Sequence, residues 1–495
     1  MHEQSRHTHR RLLAIVATAA VVAGCIGGGA TPGATSSGTQ APPATQSATE
    51  VPATFGLASF AAAKLRWYCC LGTGEDPSQV PTENKIADGF ATAFPGSSLK
   101  FEVTTYDAAR DTLSTQIAGG NSPDLVGPNG IGGLAAFKGQ WLDLGPYIAK
   151  SHYDLSQFDP AAVDFYKSSE GEIGIPFDVY PSMIWYKADF FEEGGLAEPP
   201  HKYGDKYKMP DGTDAEWNYD TLRQIAMKLT VDKNGHDATE ATFDPTKIVQ
   251  YGFEPQRDDL RGLGAYWGAG NLTGADGKTV VIPDAWKTAW KFYYDGIWKD
   301  HFIMTLPVFQ SAEFGGGEYA FFSGHVAMSE NFLWTTYGVA NSGTDWDLAA
   351  IPSFNGKVTS PLNADTFAIM KGTQNPDAAF AALTYILDES SDKLLEIYGG
   401  MPARPDKQDA FFDSLDQSKD DNGKIKFPQG VYWQVAKDSV QYADTPNFEA
   451  AMPQYNETLT ILGKYLTKWG TTAGLDMDAE ITKLQQDIQA AWDKS

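Results

Sequence analysis

Leu65-Arg66-Trp67-Tyr68-Cys69-Cys70-Leu71, running into Gly72-Thr73-Gly74, is the stretch whose reading decides the fold. A short, largely apolar run closed by a glycine-rich turn reads as a buried strand followed by a loop. The rhythm then repeats. Ile86, Phe90 and Ala93 share one helix face, and Leu99, Phe101, Val103 and Thr105 alternate as a strand. Leu113 and Ile117 fall on a second helix face, and Pro123-Asp124-Leu125-Val126 is a short strand entering a loop, Gly127-Pro128-Asn129-Gly130. This β-α-β-α-β order predicts an α/β lobe built on a largely parallel sheet.

Helix signals recur downstream. Asn218 is placed to cap a helix carrying Leu222, Ile225, Ala226 and Leu229. Asn375-Pro376 precedes Phe380, Leu383 and Leu387, and a last helix from about Asp478 to Trp492 aligns Ile481, Leu484, Ile488 and Trp492. Segments 231–245 and 271–283 are rich in turn formers and read as hairpin loops; there is no internal repeat.

The N-terminus has a different texture. Arg6, Arg10 and Arg11 precede an apolar run from Leu12 to Ala23, too short to span a bilayer permanently, which reads as an export signal over 1–24. Val22-Ala23-Gly24-Cys25 resembles a bacterial lipoprotein box, making Cys25 the expected lipidated first residue; an ordinary cleaved signal is the alternative. Residues 26–54 are mostly Gly, Ala, Thr, Ser, Pro and Gln, with Glu50 the only charge, so 25–54 reads as a flexible tether.

A formal net charge of -25 over 495 residues argues against nucleic-acid binding, which needs a basic face to displace phosphate counterions. Three cysteines exclude a disulfide framework, although adjacent Cys69 and Cys70 are either two small buried hydrophobes or, in an exported protein, a vicinal disulfide. Aromatics make up 13% of the chain, enough to furnish binding platforms as well as cores.

Catalytic and cofactor motifs mostly fail. Gly130-Ile131-Gly132-Gly133-Leu134-Ala135 fits G-x-G-x-x-A, but no apolar strand precedes Asp154, where a dinucleotide site needs its acid; close backbone approach to some ligand is the preferred reading. No G-x-S-x-G, H-E-x-x-H or C-x-x-C occurs, and of the histidines beyond the export signal, His152, His201, His236, His301 and His325, none is spaced as a metal pair. Asp232, Asn234 and Asp237 crowd a turn that reads as an Asn-Gly hairpin rather than a calcium loop. No metal and no cofactor is expected. A glycosidase pair among 63 acidic residues stays open.

Several ordered segments carry a resemblance. They are Gly119-Gly120-Asn121-Ser122-Pro123-Asp124-Leu125, then Gly174-Ile175-Pro176-Phe177-Asp178-Val179-Tyr180-Pro181-Ser182 with Trp185-Tyr186-Lys187, and Phe322-Ser323-Gly324-His325-Val326-Ala327-Met328. Phe367-Ala368-Ile369 and Met401-Pro402-Ala403-Arg404 follow. From about residue 60 onward the chain resembles the extracellular solute-binding proteins of carbohydrate ABC transporters, the maltose-binding-protein-like family. The resemblance implies a type II periplasmic-binding-protein fold of two α/β lobes, 55–176 plus 364–400 and 177–363 plus 401–495. Crossing segments are implied near 176–181, 359–365 and 399–405.

It also implies a monomeric, lipid-anchored, extracytoplasmic receptor that hands a mono- or oligosaccharide to permease subunits without catalysis. A secreted glycoside hydrolase or a sugar-sensing module is the alternative. The ligand-binding positions it implies are Thr73, Glu75, Arg110, Asn129, Asp178, Tyr180, Trp334 and Tyr455, with Trp267, Asn363, Asp365 and Arg404 as further candidates. These residue types suit sugars, whose flat C–H faces want aromatic rings and whose hydroxyls want planar charged or amide groups. Trp286, Trp290 and Trp298 lie at helical spacing and are assigned to a core. The stretch from Glu198 to Tyr219 reads as an insertion.

Overall fold

The computed structural model describes residues 60–494, apart from 159, 169, 258, 316–319, 342–345, 390, 420–422 and 451. The signal, Cys25 and the tether lie outside the described residues. One sheet of ten strands organises the chain: β1 (Lys64–Cys69), β2 (Ser98–Val103), β3 (Leu125–Gly130), β4 (Ile175–Tyr186), β5 (Val231–Asp232), β6 (Ile248–Glu254), β7 (Val326–Phe332), β8 (Asp347–Ala349), β9 (Leu362–Ile369) and β10 (Met401–Pro402). Its order is β2-β1-β3-β9-β4-β7-β6-β5, with β8 and β10 also paired to β4.

The expected parallel unit is present. β1 pairs in parallel with β2 and β3, and the helices α1 (Val80–Ala93) and α2 (Tyr106–Ala118) make the crossovers. The third strand is longer than its sequence suggests. Gly127-Pro128-Asn129-Gly130 is strand rather than loop, because Asn129 and Gly130 pair with Thr366 and Asp365 of β9 and Asn129 also bridges Leu71. A partner distant in sequence supplies the pairing that local propensity does not. α3 (Ile131–Ala136) starts directly at that strand's end.

β4 is twelve residues long and buried throughout. Its first half pairs with β9 and β10, and its second half with β7 and β8. It therefore links two apolar cores. Ile175, Phe177 and Val179 join a cluster with Trp67, Phe101, Phe367 and Phe380, while Ile184 and Tyr186 join one with Leu222, Trp286, Trp290 and Trp469. The remaining helices used below are α4 (Tyr219–Lys228), α5 (Leu260–Ala265), α6 (Asp284–Trp298), α7 (Pro376–Glu389), α8 (Tyr455–Thr471) and α9 (Met477–Trp492).

Local signals explain their bounds. The Asn218 side chain accepts the Thr221 amide at the start of α4, as the sequence predicts, and Asp476 caps α9. Trp286 and Trp290 are fully buried on α6. The 198–219 stretch is a packed hairpin in which Lys206–Lys208 pairs with Asp214–Glu216 and Tyr207 stacks on Trp217. Asp232 accepts the amides of Asn234, His236 and Asp244, so its carboxylate organises a turn. Among the described residues no group of three or more His, Cys, Asp or Glu is placed to hold a metal, and no helix is long and apolar enough to cross a membrane.

Candidate functional site

The parallel strands deliver their C-terminal ends, and the loops that follow, to one place. β1 ends in the loop from Leu71 to Pro77, β2 leads into the first turn of α2, and β3 leads into the Gly130–Gly133 turn. All three line a cleft of about 1090 Å³. The facing wall comes from residues 254–257 and 259–261, from β7 and the segment after it, and from α8.

Eight of the twelve expected positions line this cleft: Thr73, Glu75, Arg110, Tyr180, Trp334, Asn363, Asp365 and Tyr455. Their placement has local causes. Glu75 is fixed by accepting the Tyr106 amide. Arg110, one turn into α2, reaches the Tyr106 hydroxyl at 3.0 Å and lies 5.0 Å from that ring, while its buried Nε has no partner. Trp334 stacks on Phe332 at 4.3 Å and meets Tyr180 edge-on at 5.4 Å, which fixes the plane of a half-buried indole at the cleft wall. The Tyr455 ring lies 5.5 Å from the Arg261 guanidinium.

Asp365 sits at the centre. The Thr73 amide donates to its carboxylate at 3.4 Å, and its own backbone N–H donates to Asp178 at 3.0 Å. Burial pushes the Asp365 carboxyl above its usual range; the Thr73 amide opposes this, and the charge of Glu449 adds to it. Two glycines leave room for these acids. A Cβ at Gly72 would lie 2.5 Å from Asp365 Oδ2, and one at Gly132 would lie 2.8 Å from Glu449 Oε1. The close backbone approach read from the G-x-G-x-x-A stretch is thus made to carboxylates of this chain; the Gly132 amide donates to Glu449 at 3.2 Å.

Four expected residues lie elsewhere. Asp178 is fully buried beneath Asp365, where the Tyr180 hydroxyl donates to it at 2.8 Å and burial raises its carboxyl well above the usual range. Asn129 is buried in β3, its side-chain amide without a partner. Trp267 is core, parallel to Tyr219 at 4.2 Å and packed against Phe292 and Phe354. Arg404 is held away from the cleft by Asp388 and by the Tyr153 hydroxyl at 3.2 Å.

The sequence reading missed two ion pairs of buried arginines in the facing wall, one with buried Glu254 and one with half-buried Asp259. Arg257 meets Glu254 through two bonds of 2.5 Å and donates to the Met304 carbonyl at 3.0 Å. Arg261 meets Asp259 and donates to the Phe448 carbonyl at 3.1 Å. Each pair is close in sequence, but acid–arginine neighbours are common on solvated surfaces, and only burial sets these two apart. Glu449, Gln256, Ser329 and Asn331 also line the cleft and carried no sequence signal.

A long shared strand, two cores and a large polar-aromatic cleft between loop-bearing walls define a protein built to enclose a solute. The chain belongs to the bacterial extracellular solute-binding protein family, whose model matches residues 76–393. The fold is the mixed α/β architecture of maltose-binding-protein-like proteins. An ABC substrate-binding protein of Listeria monocytogenes in complex with cycloalternan superposes with a TM-score of 0.66 at 16% identity, over 87% of this chain and 99% of that one. MalE of Bdellovibrio bacteriovorus bound to maltotriose gives 0.62 at 17%, over 86% and 99%. UgpB of Mycobacterium tuberculosis in complex with glycerophosphocholine gives 0.65 at 14%, over 87% and 98%. A search of curated proteins gives no match.

Proposed function

We propose that the protein is the substrate-binding lipoprotein of an ABC importer, capturing a sugar or oligosaccharide in the cleft and delivering it to permease subunits. The observation that carries this reading is the juxtaposition of Trp334 and Tyr455 with carboxylate, amide and guanidinium groups in one cleft of about 1090 Å³. Rings supply faces for C–H surfaces, and the planar polar groups match hydroxyl pairs. The oligosaccharides bound by two structural relatives support the same class of ligand. Arg257 and Arg261 are already satisfied by acids, so they present a rigid, pre-organised wall rather than free charge.

In this reading no covalent step occurs, and the function rests on differential affinity between open and closed arrangements of two lobes joined at 176–181, 359–365 and 399–405. Cys25 carries the lipid, the chain works as a monomer on the extracytoplasmic face, and the tether lets the receptor reach its permease. A thermal-shift screen over glucose, maltose, maltotriose and longer oligosaccharides tests the reading, because a ligand that binds only the native state raises the Tm. No stabilisation by any sugar, or release of shorter products from one, would sink it.

A further inference from the structure

Cys69 and Cys70, at the end of β1, are joined to each other as a vicinal disulfide, and both are fully buried. They lie directly beneath the cleft. Cys69 Sγ is 3.5 Å from the Thr73 carbonyl oxygen. Gly74 passes so close above the pair that a Cβ there would lie 2.8 Å from Cys69 Sγ, 3.1 Å from Cys70 Sγ and 2.6 Å from Glu83 Oε1. Thr73, Gly74 and Glu75 all line the cleft. Glu83 is itself fully buried; it accepts the Tyr398 hydroxyl at 2.6 Å through Oε1, and its Oε2 has no partner. Nothing in the capture of a solute requires a disulfide or a buried acid at this point.

We propose that Cys69–Cys70 is a thiol–disulfide exchange site whose partner is a dithiol, and that its reduction displaces the Leu71–Glu75 loop and so loosens the cleft. The contact of the Thr73 carbonyl with Cys69 Sγ, and the passage of Gly74 over both sulfurs, are the coupling. Two separate thiols carry two added hydrogens and lose the bond that holds the sulfurs together, directly under the Gly74 backbone, where even a Cβ would not fit. The chemistry balances. When the Leu71–Glu75 loop lifts, one dithiol thiolate attacks Cys70 Sγ and expels the Cys69 sulfur, which takes up a proton. The second dithiol sulfur displaces Cys70, so two cysteines gain two electrons and two protons while the dithiol becomes a cyclic disulfide. Glu83 stands beside the sulfurs as the local proton source: burial pushes its carboxyl up to about 8, so it is protonated at neutral pH. By linkage, whatever solute holds the loop down makes the disulfide harder to reduce, by the same factor that reduction weakens its binding.

The consequence for affinity rests on the proposed solute capture, whereas the loop response does not. Full-chain protein is treated with dithiothreitol under native conditions, capped with N-ethylmaleimide and digested with trypsin, and the peptide spanning residues 67–85 is weighed. No cap before reduction and two caps after it are expected; caps without reductant overturn the proposal. Hydrogen exchange is read in parallel. Amides of residues 71–76 exchange about tenfold faster or more after reduction, while those of α6 do not change. Reduction that leaves 71–76 unchanged overturns the coupling. The Cys69→Ser/Cys70→Ser double variant is expected to show the fast exchange without reductant and no response to dithiothreitol; a persisting response also overturns it. Maltotriose that stabilises the oxidised protein is expected to bind the reduced form at least about threefold more weakly, since the loop it contacts has moved. Equal affinity for both forms counts against the coupling, and stabilisation by no sugar at all counts against the sugar reading while leaving the exchange result intact.

Discussion

The substitution Glu330→Gln should make stability much less sensitive to pH, and the size follows from the surroundings of the carboxyl. Glu330 lies on β7 between the cleft-lining Ser329 and Asn331, but it points the other way, where it is 2% exposed and accepts the Tyr219 hydroxyl at 2.6 Å. Burial pushes its carboxyl from an ordinary 4.5 up to about 8, and the Tyr219 hydrogen bond only partly opposes this. The folded value is raised for an acid, so the native state holds the proton more tightly than the unfolded chain. Stability from this group is therefore fully present below pH 4.5 and is lost as pH rises toward 8. Each pH unit in that window removes about 1 kcal/mol, and from pH 5 to pH 8 the loss is about 3–4 kcal/mol. An unfolding entropy of about 2.1 cal/mol/K per residue over roughly 430 folded residues turns that into a Tm change of about 4 °C. The glutamine side chain keeps an acceptor for Tyr219 and cannot ionise. Calorimetric melts of both proteins at pH 5 and pH 8 should show the variant gaining about 4 °C on the wild type between the two. A Tm difference that stays constant with pH would refute the reasoning, because it would mean that Glu330 is not desolvated.

Trp334→Ala should weaken binding of whichever sugar the screen identifies by about 1–3 kcal/mol, the value of burying a large ring, and titration calorimetry reads it directly. Arg257→Leu removes the guanidinium that faces the buried Glu254 carboxylate and should cost about 3–5 kcal/mol of stability, whereas Arg257→Leu combined with Glu254→Met should restore much of that loss in a denaturant titration. Gly72→Ala pushes a methyl against the Asp365 carboxylate and should cost about 1–3 kcal/mol by overpacking, with the loss appearing in sugar affinity measured by calorimetry.

The helices were legible because their signals are local. Asn218 caps α4 through a hydrogen bond three residues long, and the period of Ile481, Leu484 and Ile488 needs no partner to be read. Eight expected positions line the cleft for different reasons: Thr73, Glu75 and Arg110 follow parallel strands, Tyr180, Asn363 and Asp365 lie on β4 and β9, Trp334 follows β7 and Tyr455 opens α8. Trp267 and Trp334 show where this stops. Both are tryptophans near the facing wall, but one is sealed by Tyr219, Phe292 and Phe354 and the other borders the cleft. No local feature separates them, since the sealing rings come from three other segments.

The sequence alone determined the α/β class, the direction of the sheet around β1 and the loops that carry polar and aromatic groups, because hydrophobic period and capping act over a few residues. Tertiary structure alone decided the rest. It turned Gly127–Gly130 into strand by pairing it with β9, more than two hundred residues away. It buried Asp178 under Asp365, and it converted two ordinary acid–arginine neighbours into the wall of a cleft. It also set the loop carrying Thr73 directly over two joined sulfurs and a buried acid. The physical reason is that burial and charge environment are properties of whatever packs around a residue, and here Thr73 meets Asp365, Gly132 meets Glu449 and Tyr180 meets Trp334 across more than a hundred positions of sequence.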